Sequence, residues 1–367
     1  MPHPARTLAA IAALALVPIG AGALPASAAP TATAATPAAA HAVSLTQVSS
    51  DPYTDSQAQH ATEVEPDVFS FNSTVVSAFQ VGRVSAGGAT NIGWSTSADG
   101  GSTWSHGFLP DTTANTGQPL VQPSGTVIVP FASASANQVR SFESTNGGTS
   151  WNASVLIATT KHHTVSGLES DSAIKASAAT PNALRESVLP SAEIDAAGEV
   201  YVTWADCRFR TGCASNDIIL STSADGTTWS TPTRVPIDAI TSTDDHFTPG
   251  IGVDASTSGS TTRIGLTYYF YPAAKCSTST CKLDVGYISS TNGGSTWSTA
   301  TQLAGPMTDT WLPDTTQGRM FGDYIATTIL PGGNAITVIP VAAAPSGTTF
   351  NMAMFSPSSG LPVVAAK

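Results

Sequence analysis

The chain has 367 residues, with 14 Lys and Arg against 25 Asp and Glu and a formal net charge of −11. So acidic a balance excludes nucleic acid or an anionic membrane surface as partner, since both demand clustered Lys and Arg. Only 11% of the residues are charged while Ser, Thr, Gly and Ala dominate, a composition that suits short strands and many turns.

The first residues read as a secretory signal: Arg6 precedes an apolar run over 8–17, and Ala26-Ser27-Ala28 supplies the small-residue cleavage pattern. Residues 1–28 are therefore expected to be removed. The apolar run is too short to cross a bilayer, and no later segment approaches the roughly 20 apolar residues of a membrane helix, so no membrane insertion is expected. Residues 29–42 are almost entirely Ala, Pro and Thr and are expected to form an extended linker. Residues 43–367 are expected to form a single domain of a secreted monomer.

Strand-like runs follow in chain order. Runs at 67–71 and 74–81 lead to the octamer Ser97-Ala98-Asp99-Gly100-Gly101-Ser102-Thr103-Trp104. Runs at 120–122 and 126–131 lead to Ser144-Thr145-Asn146-Gly147-Gly148-Thr149-Ser150-Trp151, and those at 192–195, 199–204 and 217–222 to Ser223-Ala224-Asp225-Gly226-Thr227-Thr228-Trp229. Runs at 251–254, 263–270 and 283–289 precede Ser290-Thr291-Asn292-Gly293-Gly294-Ser295-Thr296-Trp297. A last group at 325–330, 335–341 and 350–355 has no octamer. Helix is scarcely expected.

Each octamer is a hairpin turn with a physical logic. Asp99, Asn146, Asp225 and Asn292 can accept loop N–H groups, and Gly supplies positive φ. Trp104, Trp151, Trp229 and Trp297 each bury a large ring against a neighbouring sheet. The third copy is one residue shorter, so its turn must differ in detail. Four copies mark a repeat architecture, and five four-stranded units of this size are propeller blades. The segment 161–188 is either a long face loop or part of a sixth. The fold class expected is an all-β propeller of four-stranded antiparallel blades.

Through these four Asp-box octamers the chain resembles the bacterial neuraminidase repeat proteins, the sialidase-like propellers. It is most similar there to secreted actinobacterial proteins commonly labelled exo-α-sialidase. Matching stretches are His60-Ala61-Thr62-Glu63-Val64-Glu65-Pro66-Asp67, Leu189-Pro190-Ser191-Ala192-Glu193-Ile194-Asp195, Tyr201-Val202-Thr203-Trp204-Ala205-Asp206-Cys207-Arg208 and Gly322-Asp323-Tyr324. The resemblance implies a propeller with its site over the central axis, opposite the boxes, and an extracellular glycan or polysaccharide as partner. Sialidases grip the sialate carboxylate with three arginines and use a Tyr–Glu pair and an Asp. Their Phe-Arg-Ile-Pro motif is absent here, with Glu65-Pro66-Asp67 in its place.

Glycoside cleavage usually needs two carboxylates, one as acid and one as base or nucleophile. Glu65 and Asp67, with Glu63, cluster before an early strand, and period-two spacing would put Glu65 and Asp67 on one face. Asp206 and Asp245 are further candidates, and Tyr324 is the nucleophile by analogy, with Glu193 or Glu65 as partner base. Arg185 and Arg319 are candidate substrate grips. Arg208 and Arg210 form an anion-gripping pair, or ordinary salt bridges with Asp206 or Asp217. Asp244-Asp245-His246 suits an acid/base set or part of a cation site, but adjacent acids without further spaced oxygen ligands are a poor calcium signal. On strand 263–270 and just beyond it, Tyr268, Tyr269 and Tyr271 alternate faces, one offering a sugar-stacking platform. Cys207 with Cys213 and Cys276 with Cys281 read as two short-loop disulfides of an exported protein, a zinc set being the alternative. No metal and no cofactor is expected.

The leading functional expectation is a secreted, sialidase-like glycan-active propeller acting as a glycoside hydrolase. A non-catalytic binding propeller is the second reading. A polysaccharide lyase is the third, its base His163 or His246 beside Arg185 or Arg319.

Overall fold

The computed structural model describes residues 47–54, 63–71, 74–83, 89–99, 101–109, 114–133, 137–165, 184–276, 280–315, 318–330, 332–347, 349–358 and 360–366. The expected signal peptide and linker lie outside them. Blade one is a meander of β1 (Glu63–Phe71), β2 (Thr74–Arg83), β3 (Ala89–Ser97) and β4 (Ser105–Phe108). In blade two, β5 (Ala114–Gly117) and β6 (Leu120–Val121) both pair with β7 (Val127–Ser133), followed by β8 (Gln138–Ser144) and β9 (Val155–Thr159). Blade three holds β10 (Ser191–Ile194), β11 (Val200–Asp206), β12 (Asp217–Ser223) and β13 (Thr233–Arg234). Blade four holds β14 (Asp245–Val253), β15 (Ile264–Tyr271), β16 (Lys282–Ser290) and β17 (Thr301–Thr308). A small hairpin, β18 (Asp314–Thr315) and β19 (Gly318–Arg319), leads to β20 (Ala326–Ile329), β21 (Ala335–Ser346) and β22 (Thr349–Phe355). This last blade has three described strands, where the sequence predicts four.

The middle strands are apolar along their length because each blade is covered on both faces by its neighbours. β7 and β11 are buried at every position. Apolar clusters accordingly sit between successive blades. Val76, Trp94 and Phe142 join blades one and two, and Ile128, Trp204 and Ile219 join two and three. Leu220, Leu266, Tyr269 and Ile339 tie three, four and five.

The four box loops form as expected. Ser97, Ser144, Ser223 and Ser290 each donate to the Asp or Asn two residues on, at 2.7–3.1 Å, and accept a glycine N–H at 2.7–3.0 Å. Asp99 also accepts the N–H groups of Ser102 and Thr103 and the Thr103 hydroxyl, which holds its carboxyl down at about 2. The indole N–H of Trp104, Trp229 and Trp297 donates back to the loop glycine carbonyl at 2.9–3.1 Å. Trp151 instead tilts against Trp94 of blade one, 5.7 Å between centroids.

Both disulfides expected from sequence are present, Cys207–Cys213 and Cys276–Cys281. Each spans the connection between the second and third strands of its blade, at the end of the sheet away from the boxes. On that same side, β1 and β14 carry matching irregularities. Register shifts fall between Val64 and Asp67 and between Phe247 and Gly250, each around a proline, and Thr248 has φ 46°. Such bulges re-aim side chains near a strand end. The irregularity in β1 falls on the stretch that holds Glu65, Pro66 and Asp67.

Candidate functional site

The strand ends and connections opposite the boxes gather most of the buried charge in blades three to five. β11 ends at Asp206, whose buried carboxylate accepts Lys161 N (3.0 Å), Arg208 N (2.8 Å) and the Arg208 guanidinium at 2.8 and 2.7 Å. Arg210 turns the other way, donating to Asp217 Oδ1 (3.0 and 2.6 Å) and Asp238 Oδ1 (2.7 Å), and Arg234 reaches the same two carboxylates. Arg208 and Arg210 therefore do not converge on an anion. They form the salt bridges that were the other reading of the pair, and Asp206 is consumed by them.

Asp245 opens β14, where the sequence suggests a polar turn. Its Oδ1 accepts Asn216 N (2.7 Å) and its Oδ2 contacts His163 Nδ1 (2.9 Å). The Asn216 side chain in turn grips the His163 backbone, accepting from N at 2.8 Å and donating to O at 2.6 Å. This closed set fixes the 161–165 segment to blade four and leaves Asp245 a positioning group. His246 is buried beside Tyr268 and Phe270, with Nδ1 3.3 Å from Asn216 O. The two imidazoles expected as lyase bases are taken up elsewhere, His163 by Asp245 and His246 by the Tyr268 and Phe270 rings.

Arg185 pairs with Asp323 at 2.7 Å, and a parallel bridge from Leu184 to Arg319 joins this segment to β19, with Arg185 N donating to Arg319 O at 2.7 Å. Arg319 itself donates to Leu312 O at 2.7 Å. Tyr324 is half exposed, and Glu193 is buried in β10. Tyr268, Tyr269 and Tyr271 are all buried, so β15 presents no open stacking platform. Glu65 and Asp67 lie in β1, and their side chains are outside the described residues.

Two carboxylates that sequence reasoning did not rank stand out. Glu186, just after Arg185, has a side chain 1% exposed; its nearest charged partner is His162 Nε2 at 3.1 Å, and neither oxygen has a hydrogen-bond donor among the described residues. Burial works against the charged form of His162, but Glu186, with Asp245 and Asp206 beyond it, outweighs this and raises its pKa above the ordinary value. Asp309 sits in the short 3-10 turn Asp309–Trp311 after β17. Its Oδ1 accepts the Tyr271 hydroxyl at 2.9 Å, its Oδ2 has no donor among the described residues, and burial pushes its pKa up to about 6. Tyr271 is kept protonated first by burial, then by Asp309, with Asp245 and Glu186 adding to the effect. Tyr271 thus sits within the electrostatic reach of both acids. No spacing rule marks Asp309, which lies in a connector outside the repeat; Glu186 was visible only as half of Arg185-Glu186.

No protein-family model matches the chain, and no curated protein matches it by sequence. Among the described residues no helix is long and apolar enough to cross a membrane. Among solved structures, the chain is similar to an α-L-arabinofuranosidase from Fusarium graminearum, at 13% identity over 86% of this chain and 85% of that one, with a TM-score of 0.50. It is also similar to an α-L-arabinanase of Penicillium chrysogenum (14% identity, 80% and 77% covered, TM-score 0.47) and a sialidase of Streptococcus pneumoniae (14%, 68% and 32%, TM-score 0.35). At such identities the likeness establishes the fold, an all-β propeller of antiparallel blades, and leaves the chemistry to the residues of the site.

Proposed function

We propose that the chain is an extracellular glycan-active propeller, a glycoside hydrolase whose paired carboxylates are Glu186 and Asp309. The observation that carries this reading is their shared situation: both are buried, each has an oxygen without a hydrogen-bond donor among the described residues, and both disfavour ionisation of Tyr271, Asp309 through a direct hydrogen bond and Glu186 through its charge. A carboxyl acid that holds its proton and a second carboxyl as base or nucleophile are the groups that glycoside cleavage uses. Asp309, holding its proton up to about pH 6, is the acid. Glu186, 3.1 Å from His162 Nε2, is the base or nucleophile. The two disulfides, the signal over 1–28 and the linker over 29–42 support export of a 43–367 domain.

An exo-α-sialidase is the finer reading that the Asp-box resemblance implies. Electrostatics rank neutral glycosides ahead of it, because Arg185, Arg208, Arg210, Arg234 and Arg263 each already face an aspartate. The shared fold with an arabinofuranosidase puts pentofuranosides first among those neutral sugars, by analogy of fold alone.

The test is turnover of neutral and sialyl aryl glycosides and of polysaccharides by the protein lacking residues 1–28. Glu186→Gln and Asp309→Asn are each expected to lower kcat by about 100-fold or more while substrate still binds. Turnover that survives both substitutions overturns the assignment. The burial of both carboxylates favours one other reading, a non-catalytic glycan- or protein-binding propeller. Folded protein that binds glycan but turns over nothing would establish it.

A further inference from the structure

We propose that Asp217, Asp238 and His246 form a binding site for a divalent transition-metal ion of the zinc type, between blades three and four and separate from Glu186 and Asp309. One ligand atom from each residue lies within 4.8 Å of the other two. The three come from different elements: Asp217 opens β12, Asp238 follows β13, and His246 is the second residue of β14. Sequence reasoning saw only the adjacent acids beside His246 and missed Asp238 and Asp217, 8 and 29 residues before it in the chain.

The hydrogen bonding leaves acceptors that a cation could take. On Asp217 and Asp238 the Oδ1 atoms are saturated by Arg210 and Arg234, yet both Oδ2 atoms are buried with no donor among the described residues. The Asp217 side chain is 1% exposed, so water does not relieve it. A buried acceptor left unmade costs about 1–3 kcal/mol, more when charged. With one carboxylate oxygen of each aspartate and one imidazole nitrogen of His246 within 4.8 Å of one another, a metal ion bound among them would satisfy such acceptors. His246 Nδ1 contacts Asn216 O at 3.3 Å, leaving Nε2 as the ligand, the carbonyl–imidazole–metal relay usual for histidine sites.

The donor set and charge select the ion. One nitrogen with two carboxylate oxygens suits zinc and its neighbours; calcium and magnesium prefer oxygen alone. Tetrahedral ligands about 2.0–2.2 Å from zinc stand about 3.4 Å from one another, so ligand atoms as far as 4.8 Å apart would draw together by up to about 1.4 Å on binding. Asp238, Asp244 and His246 line a cleft of ≈ 160 Å³ with Tyr268, Phe270 and Gln302, which provides a route in and room for a water as fourth ligand. Asp217, Asp238 and Asp244 against Arg210 and Arg234 leave one formal negative charge, enough to attract the ion, while the two guanidiniums hold its affinity below that of a closed structural site.

The experiment is calorimetric titration of the folded, chelator-treated protein with zinc chloride at pH 7.5, with cobalt(II) absorption as a second readout. Wild type is expected to take one zinc that Asp238→Asn and His246→Gln weaken by at least tenfold, and to give a cobalt d–d band that both substitutions remove. Circular dichroism confirms the fold of each variant. No uptake by wild type, or uptake unchanged in folded Asp238→Asn, overturns the proposal. Should His246→Gln not fold, the wild type decides: cobalt must shift the His246 ring resonances before those of His162 and His163, and the reverse order overturns it. None of these outcomes depends on glycoside turnover.

Discussion

At the scale of single residues, Asp309 joins stability to chemistry. An ordinary Asp carboxyl titrates at 3.8, but burial raises Asp309 to about 6, so the folded chain binds this proton more tightly than the unfolded one. Its contribution is therefore complete below about pH 4 and is lost as pH rises through 6, leaving the ionised native state worse off by roughly 3 kcal/mol. Asn can still accept from Tyr271 but cannot ionise. Asp309→Asn is expected to raise Tm by several degrees at pH 8 and to leave it nearly unchanged at pH 4, as calorimetry at the two pH values would show, while abolishing turnover. His162 makes a second prediction. Its pKa is raised only because Glu186 and the acids beyond it outweigh burial. The ion pair stabilises the fold fully below the ordinary histidine value of 6.5 and is lost as pH rises through the raised one. With Glu186→Gln, burial takes over, and the His162 ring titration followed by NMR is expected to fall to 6.5 or lower; a midpoint that stays raised would show that Glu186 is not its partner.

At the scale of elements, the box loops act between blades as well as within them. A side chain placed at Gly148 would meet Thr96 of β3 at 3.0 Å, one at Gly226 would meet Ile128 of β7 at 2.6 Å, and one at Gly294 would meet Leu220 of β12 at 2.8 Å. Each loop is thus seated on a strand of the preceding blade. In the third box the Ser141 hydroxyl of β8 donates to Gly226 O at 2.8 Å and accepts from Trp229 at 3.0 Å. The shorter third octamer keeps this seating because it drops the residue before the packed glycine. Gly101, in the first box, meets only its own Trp104, at 3.6 Å. Both Gly101 and Gly226 have positive φ, so alanine strains either one, but only Gly226→Ala also drives a methyl into a buried isoleucine. Gly226→Ala is expected to cost about 2 kcal/mol more than Gly101→Ala in denaturant unfolding. Equal losses would mean that the box stabilises only its own hairpin.

At the scale of the molecule, the repeat was legible because its signals are local. Ser, Asp, Gly and Trp at fixed offsets report a turn, and runs such as 199–204 and 217–222 fall within a residue or two of β11 and β12. The site was less legible because its residues come from separate segments: Glu186, Tyr271 and Asp309 share no motif, and while the salt bridges of Arg208 and Arg210 with Asp206 and Asp217 were one of the two readings of that pair, their further partner Asp238 had no local signal. The start of β14 was also hidden, since its polar Asp245 and His246 are buried by neighbours that no local pattern announces. The last blade departs furthest from the repeat. It lacks a box, has three described strands, and leaves Phe350 and Phe355 of β22 about half exposed. A strand edge bearing large apolar groups is a template for pairing with other chains. Because these side chains bury little, replacing them should change stability by less than about 0.5 kcal/mol each. The double substitution Phe350→Lys with Phe355→Lys is expected to leave Tm unchanged while raising the temperature at which light scattering first increases. An unchanged scattering onset would mean that aggregation starts elsewhere and that this edge is protected in the folded chain.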